Sequence, residues 1–219
     1  MKLNAEQINT IDAILEKLGV VYIDYKFEIL DHIASEVEES MNETGDDFEK
    51  SLEIILKRWQ PKLKKSSSTW FGYSWEMPEI MMQKAKKYHK QKMLLLVVSS
   101  SFLALIMCYL MEFIPQFFNG LRYFLLLVLG LQLIGYIQIK RSKQKTTFGF
   151  LYKQQFLSFF FLYIQNIFLF HSYERIFEYS NWAILIVFLM ISILVLVPLT
   201  SYKFYKEHFK QLKQNQKII

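Results

Sequence analysis

The stretch MLLLVVSSSFLALIMCYLM, residues 93–111, decides the fold, because it holds 19 positions in a row without a charged side chain. A lipid bilayer is crossed by about 20 consecutive apolar residues in a helix. A second uncharged run, YFLLLVLGLQLIGYIQI, fills residues 123–139, and two further apolar runs follow Lys153 and Tyr179. The whole chain is 53% hydrophobic. We therefore predict an integral membrane protein with four spans, at about 93–112, 121–139, 150–171 and 181–200.

The third predicted span is the one that a charge interrupts. Lys153 stands near its start, and we expect its ammonium group to reach the lipid headgroups while its stem stays among the chains. The alternative is a re-entrant or in-plane segment. That alternative would place the C-terminus on the other side of the membrane.

Basic residues near the spans predict the orientation. Lysine and arginine collect before the first span, between the second and third, and after the fourth, whereas the two other loops hold only Arg122 and Arg175. Basic loops stay on the cytoplasmic side, so both termini are expected there. Cys108, the only cysteine, lies inside the first span and cannot form a disulfide within the chain.

Charge divides the chain into an acidic and a basic part. Residues 1–60 carry 14 Asp or Glu against 6 Lys or Arg, and the remaining residues carry 6 against 20. An acidic domain repels phosphates, so no direct nucleic-acid partner is predicted. The lysines of the basic part are explained by orientation and by anionic lipid headgroups.

Residues 1–62 are predicted to form a small cytoplasmic domain of three helices, which makes the whole chain all-α. Asn4 and Gln7 have the spacing of a capping box, and Gly45 is expected to stop the second helix, which runs from about Tyr22 to Asn42. Asp46 or Asp47 caps the third helix, which is expected to end at Trp59 before Pro61. The predicted buried residues are Ile8, Ile11, Ile14 and Leu15 in the first helix, Ile23, Phe27, Leu30, Ala34, Val37 and Met41 in the second, and Phe48, Leu52, Ile55 and Leu56 in the third. A domain of this size has a marginal hydrophobic core. It is therefore expected to be stabilised by contact with a second copy, with the membrane part or with a partner.

The segment DYKFEILDHIASEVEES, residues 24–40, places a histidine among carboxylates on one helix face. This cluster could hold a divalent metal or sense pH. A zinc site usually recruits a second histidine or a cysteine, and residues 1–60 contain neither. No metal, cofactor or catalytic role is therefore predicted, and the face is interpreted as a docking surface for a protein partner. Its residues are Glu28, Asp31, His32, Glu36 and Glu39.

This segment, followed by DFEKSLEIILKRW, resembles the helical HAAS-type signalling domain and the N-terminal prefix domains of some bacterial permeases. It is also similar to short membrane proteins of Bacteroidetes that carry a DHIAS segment. The residues that carry the resemblance are Glu28, Ile29, Leu30, Asp31, His32, Ile33, Ala34, Glu36 and Glu38, followed by Ser51, Leu52 and Leu56. The resemblance implies a cytoplasmic regulatory module, often associated with PadR-like transcription regulators. The chain departs from the family at RWQPKLKK, residues 58–65, where the family often has a short turn.

The linker, residues 63–92, is expected to combine a flexible polar hinge at residues 64–69 with an interfacial segment. Trp70, Phe71, Tyr73 and Trp75 are predicted to anchor at the membrane surface. The alternatives are packing on the three-helix domain and an aromatic ligand cage. Pro78 is expected to start a helix that continues into the first span.

The predicted spans hold no ionisable residue near their middle. Gln132, Gln165 and Asn166 are expected to form hydrogen bonds between helices. After the fourth span, residues 203–219 are predicted to form a basic amphipathic cytoplasmic tail on the inner membrane surface, with Tyr202, Tyr205, Phe209 and Leu212 on one helical side; a plain solubilising tail is the alternative.

These patterns favour a non-enzymatic regulatory or accessory protein of the bacterial inner membrane that docks a cytoplasmic partner and contacts the lipid bilayer. The alternative is a small transport or lipid-handling protein that works as a homo-oligomer, with a water-lined path through Gln132, Gln165, Asn166 and the serines of the first span. An enzyme is not expected, because no acid, base and electrophile stabiliser are brought together by any motif.

Overall fold

The computed structural model describes residues 2–69, 71–109, 117–169 and 181–215. Its elements are α1 (Ala5–Lys17), α2 (Ile23–Thr44), α3 (Phe48–Leu63), β1 (Lys65–Ser68), β2 (Gly72–Pro78), α4 (Glu79–Tyr109), α5 (Phe117–Arg141), α6 (Thr147–Leu169) and α7 (Asn181–Asn215). The predicted helical class is confirmed, with one short hairpin added. The chain forms two compact units. The first unit holds the residues up to Lys87, residues 144–147 and the residues from Gln211, and the second unit holds the remainder.

The predicted ends of the first three helices are set by their capping residues. The Gln7 N–H donates to Asn4 Oδ1 and the Asn4 N–H donates to Gln7 Oε1, both at 2.9 Å, which closes the predicted capping box. Gly45 ends α2 with a φ of 70°, a conformation that side chains with a Cβ rarely adopt. Asp47 caps α3 by accepting a hydrogen bond from the Lys50 N–H at 3.0 Å.

The buried face of α2 matches the predicted one at Val37 and Met41 but differs from it earlier in the helix. Its buried residues are Ile29, Ile33, Val37 and Met41, whereas Phe27 is 44% exposed and Leu30 and Ala34 are half-buried. Both sets recur at helical spacing, so periodicity alone cannot choose between two adjacent apolar stripes. Elsewhere in the domain, Ile8 is exposed and Phe48 and Leu56 are only half-buried.

The prediction that α3 ends at Trp59 is wrong, because the helix continues through Pro61 to Leu63. Proline removes one helical N–H, but the hydrogen bond at the end of the helix is kept: the Lys64 N–H donates to the Gln60 carbonyl at 2.9 Å. Trp59 and Leu63 are both buried. The burial of these two side chains offsets the missing hydrogen bond.

The predicted flexible hinge at residues 64–69 is instead largely a β-strand. β1 pairs antiparallel with β2, with Lys65 opposite Pro78 and Ser68 opposite Gly72. Phe71 is fully buried, so it does not reach lipid as predicted; the turn between the strands places it inside the first unit. Trp70 and the side chains of Tyr73 and Trp75, the rest of the predicted anchor, lie outside the described residues.

In the part of the chain that the structure describes, three helices are long and apolar enough to cross a membrane: α4, α5 from Tyr123, and α7 from Trp182 to Gln214. In the most apolar stretch of each, only 17%, 28% and 33% of the residues are buried by protein. Apolar surfaces of this extent require lipid or a partner, which supports a membrane protein. Within the described residues α6 is not one of these three, because its 23 residues include Lys153 and several amide side chains.

The second unit has its own apolar core between its helices. The core consists of Ala104, Leu121, Leu125, Val128, Tyr163, Ile184, Phe188, Ile191 and Leu194. Pro198 lies inside α7 and cannot donate to the carbonyl of Leu194, four residues earlier. The Tyr163 hydroxyl of α6 donates to that carbonyl instead, at 2.6 Å. A neighbouring helix thus satisfies the backbone group that the proline leaves free.

The predicted fourth span and the predicted tail form one continuous helix, α7. In this part of α7 the buried positions are Ser201, Phe204 and His208, whereas Tyr202, on the predicted apolar side, is 64% exposed. Because α7 is one continuous helix, the side that is buried before residue 200 also determines which side is buried after it. Residues 216–219 and the predicted loop at 171–180 lie outside the described residues.

Candidate functional site

The predicted docking surface on α2 is partly used for contacts within the first unit. Lys84 Nζ lies 2.9 Å from Oε1 and 3.0 Å from Oε2 of Glu28, and it also lies 4.5 Å from the centre of the Tyr25 ring. Glu36 accepts a hydrogen bond from the Arg58 guanidinium at 3.4 Å. Two of the five predicted docking residues therefore already have basic partners.

His32 stacks on the indole of Trp59, with ring centres 6.5 Å apart and planes 27° from parallel. The indole is also contacted by Lys62 Nζ, 4.7 Å from the ring centre. His32 thus joins α2 to α3 while remaining exposed to solvent. This contact gives His32 a packing role between the two helices.

Asp31 and Glu39 are the open carboxylates of this surface. Both are exposed, and no ion pair to either side chain occurs among the described residues. Exposed ion pairs such as Glu28–Lys84 contribute only about 0–1 kcal/mol. A basic partner could therefore bind Asp31 and Glu39 directly and compete for Glu28 and Glu36.

A contact that sequence reasoning missed joins the start of α2 to the segment before α6. The Ile23 N–H donates to the Lys145 carbonyl at 2.9 Å, and Tyr22 pairs with Lys145 in a parallel bridge. The Thr147 N–H donates to the carboxylate of Asp24, 2.9 Å from one oxygen and 3.1 Å from the other. We call these contacts the Asp24 clasp. It ties α2 to a segment more than 120 positions away in the chain.

The Asp24 carboxyl is partly buried and therefore partly removed from water. Burial raises its pKa above the usual 3.8, and this effect outweighs the hydrogen bond from Thr147 and the charge of Lys84, which both lower the pKa. A carboxylate in the first turn of a helix is otherwise favourable, because the helix N-terminus carries free N–H groups and a partial positive charge. The sequence offers one sign of this role: Asp24 stands within the first turn of α2, where no side chain caps the helix.

An open apolar groove of about 980 Å³ lies between α1 and α3. Its apolar side chains include Ile14, Leu18 and Leu56, and lysines stand around it. Ile14 and Leu56 were predicted to be buried. An open apolar groove in a small domain is consistent with the prediction that contact with a second copy, the membrane part or a partner stabilises the domain.

The predicted interhelical polar residues of the membrane part differ in their burial. Gln132 is 4% exposed and Asn166 is fully buried, whereas Gln165 is exposed. Asn166 donates to the Leu162 carbonyl of its own helix at 2.8 Å. The Tyr163 hydroxyl lies near the Gln132 amide, but no hydrogen bond of good geometry joins them. The alternative of a water-lined path through these residues and the serines of the first span stays a prediction.

Within the described residues, no three His, Cys, Asp or Glu side chains lie close enough to hold a metal ion. No family model matches this chain, and neither does any curated protein or solved structure. The resemblance to HAAS-type domains thus stays a prediction.

Proposed function

We propose that the chain is a non-enzymatic regulatory or accessory protein of the bacterial inner membrane, whose N-terminal helical domain docks a cytoplasmic protein partner. The observation that carries this proposal is the Asp24 clasp. The clasp joins α2, which carries the proposed docking surface, to residues 145–147, which connect α5 to α6. Partner binding to α2 can therefore shift the conformational equilibrium of this connection, and a change in the connection can alter partner binding.

The grouping of the chain into units supports four crossings. The three-helix domain precedes α4, residues 144–147 lie between α5 and α6, and the end of α7 from Gln211 belongs to the same unit as both. Segments of one compact unit are expected on one side of a membrane, which favours an even number of crossings between residues 147 and 211. α6 has 23 residues, which span about 34 Å at 1.5 Å per residue, enough for a hydrocarbon core of about 30 Å. The lysine-rich flanks favour the cytoplasm for this side.

Docking is proposed to use the open carboxylates of α2. The double variant Asp31→Lys, Glu39→Lys is expected to weaken partner recovery about tenfold, because two attractive charges become repulsive ones. The measurement is a pull-down with the full-length protein in detergent at low salt, repeated at higher salt. Recovery by the unchanged protein should fall as salt rises.

The matched control is Glu6→Lys, Glu49→Lys, which makes the same change in net charge at exposed positions on α1 and α3. It should recover the partner as the unchanged protein does. The absence of any partner at low salt, or equal losses in the two double variants, would contradict docking through α2.

A further inference from the structure

The apolar groove between α1 and α3 is edged by basic side chains, although it belongs to an acidic domain. Its charged lining consists of Lys17, Lys57, Lys64, Lys65 and Glu53, and the four lysines are exposed. Lys57 pairs with Glu53 at 2.6 Å, and no ion pair to the other three lysines occurs among the described residues. The lysine groove therefore favours an occupant that is both apolar and acidic.

A surface with that chemistry lies on α2 of the same chain. Phe27 is 44% exposed, and Leu30 and Ala34 are only half-buried, because the core of the domain uses the adjacent stripe of α2. Asp31 and Glu38 flank these apolar side chains, since each follows one of them by four positions. We call these five residues the second α2 stripe.

We propose that the second α2 stripe of one copy of this chain binds in the lysine groove of another copy. Helices dock into apolar grooves through side chains at positions i, i+3 and i+7, which is the spacing of Phe27, Leu30 and Ala34. These three cover about 10 Å along α2, and the groove follows α3 from Glu53 to Leu63, about 15 Å. The inference goes beyond partner docking and does not depend on it.

The charges of the two surfaces are opposite. Asp31 is exposed, and Glu38 accepts a hydrogen bond from the Leu3 N–H at 2.9 Å. Neither carboxylate forms an ion pair with another described residue, so both keep their charge for the lysines of a second copy. A lipid chain in so open a groove would leave one side in water, whereas an amphipathic helix presents its polar face there.

The two surfaces lie on different sides of the domain's helices. The groove lies between α1 and α3, and the stripe lies on α2, so each copy offers two unlike surfaces. Contact between them is head-to-tail and continues from copy to copy until it closes into a ring. A two-fold dimer would instead bring each surface against itself.

The test is disulfide cross-linking of the full-length protein in isolated membranes, in a Cys108→Ala background. Two differently tagged chains are co-expressed, one with Leu18→Cys in the groove and the other with Ala34→Cys in the stripe. A disulfide requires Cβ atoms within about 4.5 Å. Because the contact is head-to-tail, oxidation should join the two unlike chains about fivefold more than it joins either chain to its own kind.

Ile8→Cys is the matched control for the groove. It lies on α1 like Leu18 and is 37% exposed against 38% for Leu18, but it does not line the groove. It should cross-link to Ala34→Cys only at the background level. Equal yields from Ile8→Cys and Leu18→Cys, or a majority of cross-links between chains of the same kind, would overturn the proposal.

Reversing charges tests the electrostatic part of the contact. Asp31→Lys, Glu38→Lys in the Ala34→Cys chain should lower the cross-linked yield about fivefold. Adding Lys64→Glu, Lys65→Glu to the Leu18→Cys chain should restore most of that yield, because the facing charges are then opposite again. An unchanged yield with the reversed stripe, or no recovery with both surfaces reversed, would contradict the proposal.

The matched control for the stripe is Glu39→Lys, Glu43→Lys, which makes the same change in net charge at exposed positions of α2 outside the stripe. It should cross-link like the unchanged stripe. Glu39 belongs to the proposed docking surface and not to the stripe, so this variant can lose its partner while it keeps its contact with a second copy. A loss of cross-linking equal to that of the reversed stripe would show that net charge, not the stripe, sets the yield, and the assignment would be wrong.

Discussion

Replacing Ile33 with alanine is expected to destabilise the N-terminal domain by about 2–5 kcal/mol, the usual range for a buried isoleucine. Ile33 is fully buried on α2. A core of this size seldom supplies more than about 3–5 kcal/mol in total, so the substitution should unfold much of the domain. Hydrogen exchange of the α1–α3 amides in the full-length protein measures the loss, and protection should fall across all three helices together.

Phe27→Ala is the control for that experiment. The sequence periodicity assigns Phe27 to the buried stripe, but its side chain is 44% exposed, so the loss should stay below about 1 kcal/mol. A larger loss of protection for Phe27→Ala than for Ile33→Ala would show that α2 is rotated toward the stripe that the sequence predicted.

Replacing Asp24 with alanine is expected to cost about 1–3 kcal/mol, because the Thr147 N–H would lose its acceptor in a buried place. Thr147 is 4% exposed, so water cannot easily replace the carboxylate. The loss should be local to the Asp24 clasp. Hydrogen exchange of residues 144–147 should therefore accelerate about five- to 150-fold while the exchange of α3 stays unchanged.

Asp24→Asn separates the hydrogen bond from the charge. The amide keeps an oxygen that accepts from Thr147, so most of the protection should remain.

Because burial raises the pKa of Asp24 above 3.8, the folded state binds the proton more tightly than the unfolded state. The clasp should then lose stability as the pH rises from about 3.8 through the raised pKa. Asp24→Asn lacks this titration and should show no such loss, compared with the unchanged protein at each pH. An Asp24→Asn variant as damaged as Asp24→Ala would show that the charge, not the acceptor, holds the segment.

Local features of the fold were predictable because their causes are local. Uncharged runs give the apolar helices, the Asn4–Gln7 spacing gives the cap of α1, and the φ of Gly45 gives the end of α2. The α2 stripe was mistaken because two apolar stripes lie side by side, and only the packing of neighbouring helices chooses one. The run KSSS at residues 65–68 looks like a flexible hinge by composition, but its pairing with β2 orders it.

The candidate site was predictable only in part, because its partners are remote in sequence. Glu28 and Glu36 were assigned to a free acidic face, yet Lys84 and Arg58 stand 56 and 22 positions away from them. Thr147 stands 123 positions from Asp24. No local sequence pattern predicts contacts between residues that are so far apart in the chain. Asp31 and Glu39 are exposed, as helical spacing predicts, and their docking role stays a prediction.

The most direct test of the proposed topology is the accessibility of single cysteines introduced into a Cys108→Ala background. Asp31→Cys, Lys143→Cys and Lys213→Cys replace exposed residues in the N-terminal domain, before α6 and at the end of α7. A membrane-impermeant maleimide is expected to label none of the three in intact cells and all three after permeabilisation, whereas Glu174→Cys, in the predicted outer loop, should react in intact cells. Labelling of Lys213→Cys from outside while Asp31→Cys stays protected would mean an odd number of crossings, and labelling of Asp31→Cys from outside would contradict the cytoplasmic domain.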